Sequence, residues 1–392
     1  MSDEQSVIPL AIPVVGAAEA RNLQSCIDQN FVSSVGPFVS QFEEMVALST
    51  GAAAAVATCA GTAGLHAALV AIGVGPGDLV VLPTFTFIAS ANAISHCGAV
   101  PWLMDVCEES WNMDLAQLGR EFQTNTRRDG GRLVHKPTGR RISAVMPVYC
   151  LGTPIDFDEL NRFSQEWNVP IVVDAAAAIG MRWNDQPLAH AGTLSVISFN
   201  GNKTLTSGGG GMVVGRDPEL MALVRHLTTT ARVGTDYTHD RVGFNYRMTN
   251  LQAAVGCAQM ERLDELLAAK RRIRENYASA FAEYDNIRSF PDPDGQSTCW
   301  LSGLVFESPD APSVADFSNE LRKRKVEARP FWKPMHLQPP YASSAPRAAS
   351  LQRSDDLWQR VLTLPCSTNL SDQQQRRVIQ TIGEILDQKH FK

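Results

Sequence analysis

The chain has 392 residues, 44% hydrophobic and 19% charged, with a formal net charge of −6, which suits a globular enzyme large enough for two domains and gives no electrostatic case for nucleic acid. No uninterrupted apolar run approaches ~18 residues, so nothing predicts a membrane span, and Met1-Ser2-Asp3-Glu4-Gln5 lacks the basic and apolar regions of a secretory signal. Eight scattered cysteines, with no CxxC pair and no histidine at metal-ligand spacing, predict buried free thiols in a reducing, cytoplasmic setting without a metal.

Short apolar runs predict strands at Ala53–Thr58, Leu79–Pro83, Ala99–Asp105, Ser143–Val148, Ile171–Asp174, Leu194–Ser198 and Gly211–Val214. Most are continuous rather than alternating, as in strands covered on both faces. Helical patterns fall between them at Thr62–Ile72, Ala89–His96 and Phe157–Trp167. This alternation predicts an α/β layer fold with a mostly parallel sheet. The segment Arg120–Arg141, rich in Arg, Gly, Thr and Lys, breaks the pattern and reads as a hairpin-like surface excursion. From Met248 onward, apolar residues at intervals of mostly three and four, from Leu251 to Phe281, predict a helical bridge. It would connect a large domain, residues 1–260, to a smaller C-terminal α/β domain, residues 261–392. There the expected strands are Cys299–Phe306 and one around Val326–Arg329. The expected helices are Val314–Lys323 and Asp372–Leu386, the last capped by Ser371 or Thr368. The basic clusters Lys270-Arg271-Arg272 and Arg322-Lys323-Arg324-Lys325 read as solvated helix faces.

Four segments carry candidate chemistry. Asp174 ends a buried apolar strand, where a carboxylate is costly unless a cation meets it. A protonated ring nitrogen is such a cation, and a helix N-cap is the plainer alternative. Lys203 follows the strand that ends at Ser198 and precedes the glycine run 208–211. A desolvated lysine there can attack an aldehyde, although most single lysines are only solvated. Ala60-Gly61-Thr62-Ala63 opens a helix, whose first amides form an anion site or serve as an ordinary cap. Pro83-Thr84-Phe85-Thr86-Phe87 sets aromatic residues beyond another strand end, suited to a cofactor ring or to the core.

Taken in order, and with Gly243-Phe244-Asn245-Tyr246-Arg247-Met248-Thr249-Asn250, these segments resemble the sugar aminotransferases of the DegT/DnrJ/EryC/StrS group, from about Ile8 to Ile382. The resemblance implies a fold-type-I enzyme dependent on pyridoxal phosphate (PLP). Lys203 would be the catalytic lysine linked to the cofactor and Asp174 the partner of its ring nitrogen. Ser198, Gly61, Thr62 and Ala63 would hold the phosphate, with Phe87 against the ring. Asn245 would reach the partner's cofactor in a homodimer with shared sites. Arg329 and His336, in the Pro-rich stretch Arg329–Pro340, are candidate substrate contacts or structural turn residues. Stretches such as Val32-Ser33-Ser34-Val35-Gly36, Asn200-Gly201-Asn202-Lys203 and Leu364-Pro365-Cys366-Ser367 resemble the LegC-like subgroup. That likeness implies L-glutamate as donor and a UDP-linked 4-keto-6-deoxy-N-acetylhexosamine as acceptor, for glycan or polysaccharide synthesis; dTDP- or GDP-linked sugars are the alternatives. Ala177 departs from the Gln, His or Glu usual in the group. It leaves open a catalytically silent regulator or scaffold. A NAD-dependent enzyme is disfavoured by the lack of a G-x-G-x-x-G after the first strand.

Overall fold

The computed structural model describes residues 6–308 and 313–388. Seven strands form the central sheet: β1 (Ala54–Thr58), β2 (Leu79–Pro83), β3 (Val100–Met104), β4 (Ile142–Val145), β5 (Val172–Asp174), β6 (Leu194–Ser198) and β7 (Gly211–Gly215). Ladders give the runs β1-β7-β6-β5 and β3-β2-β4. Parallel bridges at Val145–Ile171 and Val148–Asp174 join them. Every ladder is parallel except the two that β7 makes with β1 and β6. The connection from β6 to β7 contains no helix to carry the chain back across the sheet, so β7 must return antiparallel. Because β1, β5 and β6 run in the same direction, Thr58, Asp174 and Ser198 all end on one edge. That edge holds the site.

Helices Gly61–Ala71, Ile88–His96 and Phe157–Trp167 lie where the apolar periodicity puts them. Two earlier helices, Ala17–Asp28 and Pro37–Thr50, were not predicted. The first buries only Glu19 and Cys26 and so presents no apolar stripe. The excursion at Arg120–Arg141 is shorter than expected. Its first residues belong to the helix Leu115–Asn125, which Asp114 caps and whose Leu118 and Phe122 are buried. The hairpin itself pairs Thr126–Asp129 with Arg132–His135.

The helical bridge is two helices, Asn250–Met260 and Leu263–Ala280, broken at Glu261-Arg262. Thr249 and Gln252 form a capping box at its start. Lys270 corrects the expectation of a solvated cluster. Its side chain is buried and its ammonium donates to the Cys366 carbonyl at 2.6 Å, while Arg271 and Arg272 are exposed. In the second cluster Lys323 and Arg324 are surface ion-pair partners of Glu320 and Glu384.

The C-terminal sheet contains β8 (Ile287–Ser289), β9 (Ser302–Phe306), β10 (Arg329–Pro330) and β11 (Val361–Leu364). Its order is β8-β9-β11-β10, antiparallel throughout. The strand expected from Cys299 begins only at Ser302, since Cys299 takes φ +53° and turns the chain toward the central sheet. The strand expected around Val326–Arg329 is reduced to Arg329–Pro330, and β8 and β11 are additions. Helix Val314–Lys323 matches, and the last helix, Asp372–Gln388, is capped by Ser371 and not Thr368: the Gln374 amide donates to Ser371 Oγ at 3.2 Å. Ile8 pairs with Val326 and packs among C-terminal residues, while Met335, Tyr341 and Ala345 pack with the central sheet.

All eight cysteines are free, but Cys59 is exposed and Cys107 half-buried, against the expectation that they would be buried. Among the described residues no helix is long and apolar enough to cross a membrane. Nor does any group of three or more His, Cys, Asp or Glu there have metal-binding geometry.

Candidate active site

A cavity of about 450 Å³ opens at the carboxyl edge of the central sheet, where ligands bind in open α/β folds. It gathers Gly61, Thr62, Phe87, Asp174, Ser198, Lys203 and Arg329 from segments far apart in sequence.

Asp174 is 5% exposed. Ser90 Oγ donates to its Oδ2 at 2.6 Å and the Ala176 amide to Oδ1 at 3.1 Å. Burial nevertheless pushes its carboxyl above the usual range, against both hydrogen bonds and the positive charge of Lys203. No helix follows Asp174, so the N-cap alternative does not apply. Among the described residues the buried carboxylate forms no ion pair with an Arg or Lys side chain, and it suits a cationic ring atom of a ligand.

Lys203 lies in the helix-free connection between β6 and β7. Burial lowers its amine to about 8, opposed by the negative charge of Asp174 and by Cys150. Its Nζ stands 3.5 Å from the centroid of the Trp300 ring. Trp300 Nε1 donates to the carbonyl of Asn202, next to the lysine, at 2.7 Å. A nucleophilic amine and a buried acid therefore share one pocket.

The helix Gly61–Ala71 begins after Ala60, whose side chain cannot cap it. Its first amides are thereby available to an anion. A Cβ on Gly61 would lie 3.1 Å from Ser198 Cβ, so the helix start and the Ser198 hydroxyl flank the same spot. A Cβ on Gly211 would come within 2.6 Å of the Gly61 amide nitrogen. Part of the glycine run thus permits close packing of β7 under the helix start.

Phe87 is 55% exposed and lies 6.3 Å from Trp332, which itself lies 6.1 Å from Trp300. These rings form an apolar wall facing Asp174 and Lys203. Arg329, at the C-terminal sheet's edge, adds an exposed cation to the lining. Ala177 also lines the cavity and offers only a methyl; its carbonyl accepts from Thr298 Oγ1 at 2.7 Å.

Three expected residues stand apart. Ala63 is in the first helical turn, outside the cavity lining. Asn245 is exposed and pairs with Thr229. His336 is corrected as a substrate contact: it is 5% exposed, with Nδ1 2.8 Å from Thr84 Oγ1 and Nε2 2.8 Å from Asp355 Oδ1. Both ring nitrogens are occupied by structural partners. Ser90, Trp300 and Trp332 went unnoticed in the sequence, because no spacing relates them to Asp174 or Lys203.

The donor set fits PLP. A buried acid can face the ring nitrogen, an amine of lowered pKa can meet the aldehyde, and an uncapped helix start with a serine can take the phosphate.

The model of the DegT/DnrJ/EryC1/StrS aminotransferase family matches residues 13–383. GDP-perosamine synthase of Caulobacter vibrioides is 34% identical over 385 residues, covering 97% of this chain and 98% of that protein. GDP-perosamine synthase of Escherichia coli O157:H7 is 31% identical over 388 residues, covering 97% and 99%. These relatives are not specifically LegC-like. Among solved structures, the aminotransferase TlmJ from Streptoalloteichus hindustanus superposes with a TM-score of 0.86 at 26% identity, covering 97% of this chain and 99% of that one. DesI, solved in the presence of its TDP-sugar product, gives 0.85 at 26% identity, covering 100% and 97%.

Proposed function

Because the chain belongs to the DegT/DnrJ/EryC1/StrS aminotransferase family, and so is a PLP-dependent enzyme transaminating a nucleotide-linked keto sugar, we propose that it aminates C4 of a 4-keto-6-deoxy sugar with L-glutamate as donor. The placement of Lys203 and Asp174 on one cavity with an uncapped helix start supports the cofactor chemistry, and the carbon and the donor rest on the likeness to the sugar aminotransferases.

PLP, when bound, supplies an aldehyde that exchanges amino groups and a ring that withdraws electrons from the substrate carbon. The protein's own groups do the rest. Lys203 removes and returns the proton at the carbon that gains or loses nitrogen, and its lowered pKa keeps a useful fraction neutral near pH 8. Asp174 holds the proton on the ring nitrogen. The amides of Gly61 and Thr62, with Ser198, hold the phosphate, and Phe87 covers the ring. Arg329 meets the substrate's anionic part. The cofactor-binding residues fall within 1–260 and the rest in a C-terminal domain of 261–392.

For the nucleotide, the names of the curated relatives favour GDP, whereas the LegC-like stretches favour UDP with a 2-acetamido sugar. We adopt GDP, because those relatives match over nearly the full chain. A homodimer with Asn245 reaching its partner's site is part of the proposal. Large apolar side chains left in solvent support it: Val35 is 65% exposed, Tyr237 76% and Val242 84%. The silent regulator has only Ala177 in its favour, against an intact lysine and acid.

The test is turnover of GDP-, UDP- and dTDP-linked 4-keto-6-deoxy sugars with glutamate, followed by mass spectrometry. A GDP-linked amino sugar is expected. Preference for the UDP sugar would overturn the nucleotide assignment, and no product from any of them would overturn the function. Lys203→Ala should abolish turnover and the visible absorbance of the lysine-linked cofactor; an active, coloured variant would refute the site.

A further inference from the structure

Lys203 sits on a long side chain, and a free amine of that length has many rotamers to lose. Here it has a defined resting place. Its Nζ lies over the indole of Trp300 at 3.5 Å from the ring centroid. The same indole donates Nε1–H to the Asn202 carbonyl at 2.7 Å, and the Trp300 amide donates to the Leu151 carbonyl at 3.1 Å. Two residues earlier, Thr298 Oγ1 donates to the Ala177 carbonyl, just beyond Asp174, at 2.7 Å. One short segment of the C-terminal part thus ties together the loop bearing the amine and the turn after the acid.

We propose that Trp300 is a positioning residue for Lys203: its indole face seats the amine whenever the amine is not bonded to the cofactor, and its N–H fixes the loop that delivers it. The proposal rests on the reading that Lys203 carries the cofactor. Catalysis needs the amine free but close, ready to take and return a proton. An aromatic face favours the protonated amine without giving it a hydrogen-bond partner that would have to be broken. Asp174 and Cys150 also favour the protonated amine. Cys59, Tyr149 and Arg329 line the same cavity. Of these groups only Trp300 has its ring in contact with Nζ, so its removal should be read at Lys203.

The experiment uses the full-length enzyme with its cofactor in the aminated form, which leaves Lys203 free. The pH dependence of Lys203 acetylation by a trace of acetic anhydride, followed by peptide mass spectrometry, reports the amine's protonation midpoint. Trp300→Leu should lower that midpoint by about half to one and a half pH units, and Trp300→Phe, which keeps an aromatic face, should restore most of the shift. Equal midpoints in wild type and Trp300→Leu, or equal shifts in both variants, would overturn the proposal. If Trp300→Leu does not fold, the wild-type tryptophan fluorescence decides: a titration step near pH 8 should vanish in Lys203→Met, and its persistence there sinks the idea. Retained cofactor absorbance in Lys203→Ala would refute the underlying assignment, whereas its loss with unmoved midpoints would refute only the seat.

Discussion

Two titratable groups are moved off their ordinary values by the same cause, desolvation, in opposite chemical directions. Burial discourages the charged form of each, raising Asp174 and lowering Lys203 to about 8. Between about pH 8 and 10.5 the unfolded chain binds a proton at this lysine that the folded chain does not, so this group's contribution to stability rises with pH across that window. The functional counterpart is that PLP uptake by the cofactor-free enzyme should accelerate as pH rises through about 8 and then level. A stopped-flow rate still climbing steeply at pH 10 would mean an ordinary lysine. Ser90 is the other residue with a definite effect. Its hydroxyl is one of two donors to Asp174, and a hydrogen bond to a charged group contributes about 1.5–3 kcal/mol. Ser90→Ala should therefore weaken PLP binding by about tenfold or more, measured by equilibrium dialysis. An unchanged dissociation constant would remove Ser90 from the site. At this scale Asp174 stood out because it ends an apolar strand and Lys203 because it follows one, but their roles came from the likeness of the ordered segments to the sugar aminotransferases. Ser90 did not stand out, since nothing local to it refers to residue 174.

At the scale of elements, the phosphate site depends on how closely β7 approaches the start of the helix Gly61–Ala71. No side chain fits between them: the added Cβ of Gly211→Ala would meet Gly61 N at 2.6 Å and Gly61 Cα at 2.7 Å, so backbone must shift. That substitution should raise the PLP dissociation constant at least about tenfold, because it displaces the amides that hold the phosphate. Gly119→Ala is the control. It lies in a helix with open space around it, and should stabilise the protein by about 0.5–1 kcal/mol in a denaturant melt without touching affinity. Equal affinity in both variants would show that the helix start does not bind the phosphate. The central strands were readable because burial on both faces leaves continuous apolar runs, and the helix Phe157–Trp167 because one face is apolar. The helix Ala17–Asp28 and strand β8 were missed: the first buries almost nothing apolar of its own, and β8 is a three-residue strand with one buried side chain.

Over the whole molecule, exposed Tyr237 and Val242 favour assembly. In the proposed homodimer, Val242→Asp should shift the balance toward monomer in sedimentation velocity and lower activity in proportion. A monomeric, fully active wild type would rule out shared sites. His336 is instructive here. Its place in the Pro-rich stretch Arg329–Pro340 suggested a substrate contact, but the fold turns it against Thr84 and Asp355, while Trp300, never singled out, arrives against Lys203. Local pattern was enough for the α/β class and the strand ends that bear the chemistry, because burial and turn formation are recorded in neighbouring residues, while the cofactor followed from the likeness of the ordered segments to a known family. Only tertiary packing could say which distant side chains complete the pocket. Those contacts join residues as far apart as 90 and 174, where a helix packs on the central sheet, or 203 and 300, where the C-terminal part docks against it, and no short stretch of chain holds information about either.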